Sequence, residues 1–456
     1  MRDAVRRLCL TICFSLAASC EPPSSTDAGI AIDAGPSADA GPSADAGPRA
    51  DAGPSADAGP RADAGPGADA GPRADAGPSA DAGVNIDAGV PDAGELLPPF
   101  DAGLCEHLRS LVRGQVDSGQ TVGIAFSVQW VDGARCSGAA GSADLQAVAP
   151  MEPESRLKIG SVTKTFVAAV VLQLVDEQVL ALSDPISKWL PTFPVATVTV
   201  EQLLHHTSGL VDYLFDTTLQ ATQAQPHTAD ELYDIASRVQ SAATAPGPWH
   251  YSNTNYLLLA RIIGIATGSP WYLEVRRRIL DRPDLRLSST FIYGFEPMPG
   301  GLSKGYQASD GGWVDKTNDI HPTVVGAAGC MVSTVVDLGR WWRALNRGQV
   351  FSSAALDAMR THQVPVLDAD GQVVAGVTWG LGVQIQDGTP LGTLYGHGGG
   401  LGGYSTQMQF FAGPGHTLTV SENISLDVGD PLEEVDPVTK VHRGIRPRLW
   451  QAILGL

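Results

Sequence analysis

Between Asp27 and Asp87 an aspartate recurs every six residues, in units such as DAGPSA and DAGPRA. The largest apolar residue of this unit is alanine. It has nothing to bury and cannot offset the entropy of ordering its backbone. Proline and like-charged aspartates favour an extended, mobile chain. Collagen is excluded, because the period is not three and glycine is one residue in six. Residues 21–103 therefore predict a disordered tether. Folding falls to residues 104–456, a stretch of about 350 residues that can bury a large core.

The tether also carries most of the charge. Fifteen acidic and three basic residues lie between Glu21 and Gly103, which is about −12 of the formal −19. The rest is mildly acidic and has no clustered Lys and Arg, so no nucleic-acid partner is expected. Residues 1–20, MRDAVRRLCLTICFSLAASC, join a basic start to a short apolar run. That run is too short to span a bilayer and reads as a secretory signal. Cys20 after Ala17-Ala18-Ser19 resembles a lipobox, although Ala17 stands where leucine is usual. The expectation is an exported lipoprotein anchored to a membrane through a lipid on Cys20, with plain secretion as the alternative. Export permits disulfides. Cys105 and Cys136 are a candidate pair, Cys330 reads as a small buried residue, and no cysteine spacing suits zinc.

In the folded part, CEHLRSLVRGQVDSG predicts a helix and VGIAFSVQWVDGARCSGAAGSADL two strands around an Asp-Gly turn. A helix-rich middle follows, roughly 184–325. Thr199 with Gln202 has capping-box spacing before a helix that Gly209 can end. Thr334 and Asp337 repeat the spacing. The last hundred residues return to strands, and a helix closes the chain. Strands, helices, then strands predict an α+β fold with one sheet built from both ends of the domain.

In GSVTKTF, Ser161 and Lys164 are three apart at the start of an apolar helix, on one face. The helix N-terminus favours negative charge on Ser161 and disfavours a charged Lys164. A desolvated lysine there titrates low enough to accept a proton, which makes the hydroxyl a nucleophile. A lone S-x-x-K is far more often an N-cap serine and a solvated lysine. Two further pieces follow in order: Tyr251 and Asn253 in GPWHYSNTNYLLLA, and His397 before three glycines in LYGHGGGLGGY. Each alone reads as structural.

Together, S-x-x-K, Y-x-N and H-x-G resemble the penicillin-recognising serine hydrolases related to class C β-lactamases. The motifs are most similar to secreted D-alanyl-D-alanine carboxypeptidases and alkaline D-peptidases. The resemblance covers about Val122 to the C-terminus. It implies an antiparallel sheet flanked by terminal helices, with an inserted all-α region. It implies Ser161 as acylated nucleophile, Lys164 as proton acceptor, Tyr251 as proton relay and Asn253 as orienting group. His397 stands where β-lactamases keep a lysine, and can carry positive charge below its own pKa. Backbone N–H groups of Ser161 and Gly400 become the oxyanion hole, and Gly398 and Gly399 line the substrate. No metal or organic cofactor is implied.

The match departs at the third segment. The carboxypeptidases usually read H-T-G-T there, and the hydroxyls help hold a free carboxylate. Here Gly398 and Gly400 stand in those places, with Gln384 and Gln386 where an arginine often helps. Buried charge-assisted bonds are worth about 1.5–3 kcal/mol each. Carboxypeptidase and β-lactamase activity are weakened by their loss. Three readings remain: a D-specific peptidase or amidase on peptidoglycan-type peptides, a β-lactamase-like esterase on small esters, or a non-catalytic binding lipoprotein. Activity is expected to fall at low pH as Lys164 is protonated, and at high pH if His397 must be charged.

Overall fold

The computed structural model describes residues 102–241, 244–368, 370–389, 392–425 and 445–454. The expected export signal, Cys20 and the repeat lie outside the described residues.

Nine strands form one antiparallel sheet: β1 Gly123–Gln129, β2 Arg135–Asp144, β3 Ala149–Pro150, β4 Val364–Leu367, β5 Val373–Trp379, β6 Gln384–Thr389, β7 Gly392–Gly400, β8 Ser405–Phe411 and β9 His416–Glu422. Their order is β3-β2-β1-β9-β8-β7-β6-β5-β4. The first and last strands of the domain thus meet in the middle, with Phe126 opposite Val420. Every residue of β1 and of β9 is buried. Such strands are covered on both faces and lose the in/out alternation of a solvated sheet.

One face is covered by the terminal helices α1 (Ala102–Asp117) and α8 (Ile445–Leu454). Leu108, Val112, Leu449 and Ile453 pack there with Phe126, Leu394 and Val420. Cys105 and Cys136 are bonded, which fastens α1 to β2. The other face carries α7 (Val335–Asn346) and the large core of the inserted region. At the heart of that core is α2 (Thr163–Asp176), buried nearly all round as an internal helix must be. Phe166 of α2 stacks on Trp341 of α7, with ring centroids 4.2 Å apart.

The insertion is not all helix. Its Phe291–Ile292 joins Met331–Ser333 and Leu157–Lys158, which flank the insertion, in a small sheet, and its Tyr306–Ser309 pairs with Gly312–Asp315. Around the site it supplies α3 (Val200–Leu204), α4 (Ala229–Arg238), α5 (Thr254–Thr267) and α6 (Pro322–Gly329). The Thr199–Gln202 capping box forms in full. Helix α3 stops at Leu204 rather than Gly209, because His206 turns into the left-handed region at φ 60°. Gly209 instead permits a close approach of the chain, since a Cβ there would lie 2.3 Å from Ala245 O. Thr334 caps α7 by accepting from Asp337 N–H, but the reciprocal bond does not form. The Asp337 carboxylate binds Ser289 N–H and Arg340 instead.

Candidate active site

Ser161 sits in a 3₁₀ turn, Gly160–Val162, which leads into α2 rather than opening the α-helix itself. Two glycine positions let the end of β7 come against this turn. Gly160 has φ 49°, and a Cβ on it would lie 2.7–2.9 Å from the Gly400 backbone. A Cβ on Gly399 would lie 2.0 Å from Ile159 O and 3.0 Å from Ser161 N. No side chain fits between the serine turn and the strand that follows His397.

Lys164, in the first turn of α2, is wholly buried. Its Nζ lies 3.0 Å from Ser161 Oγ, 2.7 Å from Asn253 Oδ1 and 2.7 Å from Ala328 O. The Tyr251 ring centroid is 4.9 Å from this nitrogen and that of Tyr256 5.4 Å. Burial pushes the Lys164 ammonium down from 10.5 to about 7, against the opposing pull of Asp212. Desolvation is the main cause of this shift.

Asn253 occupies the N-cap position of α5, yet its side chain makes no cap bond. Its oxygen faces Lys164, and its Nδ2 donates to Asp212 Oδ2 at 2.7 Å. Tyr251, two residues earlier, is half-buried and stacked on His206 at 4.2 Å.

His397 differs from the expectation of a cation. It is 2% exposed, packed edge-on to Trp379 at 5.3 Å. Burial, followed by Lys164, pushes its imidazole down to about 3. Nδ1 lies 2.6 Å from Gly398 O, a carbonyl that can only accept, so Nδ1 carries the proton. That leaves Nε2 as a buried acceptor without a partner among the described residues. A second correction concerns Gln384 and Gln386. They pair with Gly396 and Leu394, so both lie on the sheet face opposite to His397. β7 alternates, so Gly398 shares that face with Gly396 and the glutamines, whereas Gly399 lies with His397. Neither glutamine stands in for a carboxylate-binding arginine.

Two residues in the neighbourhood carry no role that the sequence alone suggests. Asp212 is 2% exposed and accepts N–H groups from Leu214 and Asn253. His206 takes the His250 N–H on its backbone oxygen, and the Ser252 N–H and Asn255 Nδ2 on Nδ1. Both belong to one stretch, HHTSGLVD, which moulds the segment His250–Asn255. The one local hint is the paired histidines beside a Thr-Ser-Gly turn. Among the described residues no cluster suits a metal ion.

Comparison with known proteins gives the same grouping. A family profile described as "Beta-lactamase" matches residues 108–427. Penicillin-binding protein 4* of Bacillus subtilis is 27% identical over 283 residues, 59% of this chain, and the chain spans only 60% of that protein's length. A D-stereospecific amidohydrolase from Streptomyces sp. is 30% identical, with 71% of this chain and 94% of that one covered and a TM-score of 0.60. D-amino acid amidase from Ochrobactrum anthropi SV3 is 26% identical, with coverage of 78% and 99% and a TM-score of 0.68. The profile runs from within α1 to just past β9, well over half of the chain, and the chain belongs to the β-lactamase family.

Proposed function

We propose that the protein is a D-specific serine hydrolase that cleaves amide or peptide bonds through an acyl-enzyme on Ser161. The hydrogen-bond set of Lys164 is the observation that carries this reading. As an ammonium, Lys164 has three N–H groups for three acceptors. As a neutral amine it keeps two N–H groups for Asn253 Oδ1 and Ala328 O, and its lone pair faces Ser161 Oγ. The serine proton then passes to Lys164 as Oγ attacks the carbonyl carbon. The negative oxygen of that step is assigned to the backbone N–H groups of Ser161 and Gly400, a contribution of about 10²–10³ in related chemistry. Tyr251, beside Lys164, is assigned the return of the proton to the leaving group and the later activation of water. Asn253 holds Lys164, Gly399 lets β7 close against the serine turn, and the β7 backbone at Gly398 and Gly399 is assigned to the substrate.

The leaving side is the distinctive part. His397 is a neutral acceptor and the glutamines lie on the other face, so among the described residues neither serves as the anchor expected for a free carboxylate. An amide, or a peptide cut internally, suits this site better than a C-terminal acid. D-configured substrates are inferred from the amidohydrolase and amidase resemblances, and peptidoglycan-type peptides are the natural class. We further propose export, with Cys20 lipidated and residues 21–103 serving as tether; support for this is sequence alone.

The test compares an acyl-D-Ala-D-Ala peptide, its C-terminally amidated twin and a short aryl ester, on the purified protein. The amide twin is expected to be turned over at least as fast as the free acid. A free acid that is clearly best would restore the carboxypeptidase. An ester that alone is cleaved would make this an esterase. Ser161→Ala should lose about 10⁴-fold or more in kcat on every substrate; equal turnover in that variant would falsify the acyl-enzyme.

A further inference from the structure

We propose that Asp212 is a positioning residue of this hydrolase: it fixes the Asn253 carboxamide with its oxygen toward Lys164 and places one negative charge behind it. The inference rests on Lys164 being the proton acceptor for Ser161.

Asp212 lies 41 residues from Asn253 in sequence, in the turn after the Thr-Ser-Gly stretch. Its Oδ2 accepts the Asn253 backbone N–H at 2.9 Å and the Asn253 Nδ2 at 2.7 Å. Its Oδ1 accepts Leu214 N–H at 3.0 Å. These partners of the buried carboxyl are all donors, so the ionised form is the hydrogen-bonded one. Burial outweighs those N–H groups and Lys164 and leaves the carboxyl raised above its ordinary value, while its hydrogen-bond partners favour the ionised form.

An amide between a carboxylate and an amine has one workable orientation. Flipped, Asn253 would set its oxygen against Asp212 Oδ2, two acceptors with no proton between them. Its NH₂ would meet the N–H groups of Lys164. The lysine would lose its 2.7 Å acceptor, and the lone pair would no longer be directed at Ser161 Oγ. Asp212 thereby controls the direction of a bond it does not make.

The charge has a separate effect. The groups facing Lys164 are Ser161, Asn253, the Ala328 carbonyl, the rings of Tyr251 and Tyr256, the imidazoles of His206 and His397, and Asp212 beyond the amide. Both imidazoles are held neutral by burial and by Lys164 itself. Asp212 is the carboxylate that raises the lysine against burial. Without it Lys164 would titrate lower still.

Two outcomes are therefore expected of Asp212→Asn in the full chain, assayed on an aryl ester and a D-amino acid amide. The pH at which kcat/KM reaches half its plateau should move down by about one unit, because removing the negative charge favours the neutral amine. The plateau should drop by about 10²-fold, because Asn253 loses its orientation. Asp212→Glu should restore the midpoint toward that of the parent while its plateau stays low. An unmoved or upward midpoint in Asp212→Asn overturns the proposal, even if the plateau falls, because a merely structural aspartate lowers activity at every pH alike. If Asp212→Asn cannot be recovered folded, Asn253→Ala decides: its plateau should fall by about 10²-fold, and a parental plateau shows the orientation to be immaterial. Failure of the underlying reading is separate. It appears as full activity in Ser161→Ala, or as an acid limb that persists unchanged in Lys164→Ala.

Discussion

At the scale of single residues, the site works by withholding water from nitrogen. Lys164 and His397 are both buried, and both lose affinity for protons on that account. For Lys164 the result is a base near pH 7. Below that value it is protonated and the lone pair facing Ser161 is gone, so kcat/KM should fall as pH drops through about 7. For His397 the result is neutrality at every pH an enzyme commonly meets. No alkaline limb should arise from it, contrary to the expectation drawn from its place in the motif. A fall between about pH 7 and 10 that disappears in His397→Gln would contradict this. The Ser161–Lys164 pair was legible because a helical turn is local geometry, set by residues three apart. The charge state of His397 was not, since it depends on Trp379, Lys164 and the packing of several elements. Asp212 was illegible for a similar reason: nothing in its own neighbourhood names Asn253 as its partner.

At the scale of elements, signals that need only adjacent residues held. Thr199 caps α3 with its full box. Thr334 caps α7 with half of one, because the aspartate is already engaged with Ser289 and Arg340. Gly209 is not the helix stop its position suggests; the chain departs earlier, at His206, and the glycine serves a close approach of Ala245. The bond between Cys105 and Cys136 closes a separation of 31 residues and ties α1 to the sheet. Constraining the unfolded chain this way is worth about 2–4 kcal/mol. The double variant Cys105→Ser/Cys136→Ser should lose about that much in denaturant unfolding. Its kcat should stay within about twofold at about 25 °C, since α1 covers the sheet face away from the inserted region. A loss of activity without a loss of stability would show that α1 reaches the site in some other way.

At the scale of the molecule, the alternation of strands, helices and strands was enough to foresee one sheet made from both ends of the domain. The order of its nine strands was not, because strand partners are chosen by burial across the whole chain. The proposed tether makes a prediction at this scale. Deleting Asp27–Gly89 should leave turnover of a small soluble substrate unchanged, whereas Cys20→Ala should move the protein from the membrane to the soluble fraction. A large drop in turnover on deletion would mean that the repeat takes part in the domain.

The place of β9 in the sheet has a consequence for how activity begins. This strand enters between β1 and β8, so the centre of the sheet stays open until residues 416–422 have been made. Until then β7 lacks its settled neighbour β8, and Gly399 and Gly400 have nothing to press them against the serine turn. A chain that ends before residue 416 carries Ser161, Lys164 and Asn253 without the strand that completes the centre of the sheet. The proposed reactive centre thus depends on the last strand of the sheet in chain order, and a chain truncated before residue 416 is expected to show no turnover.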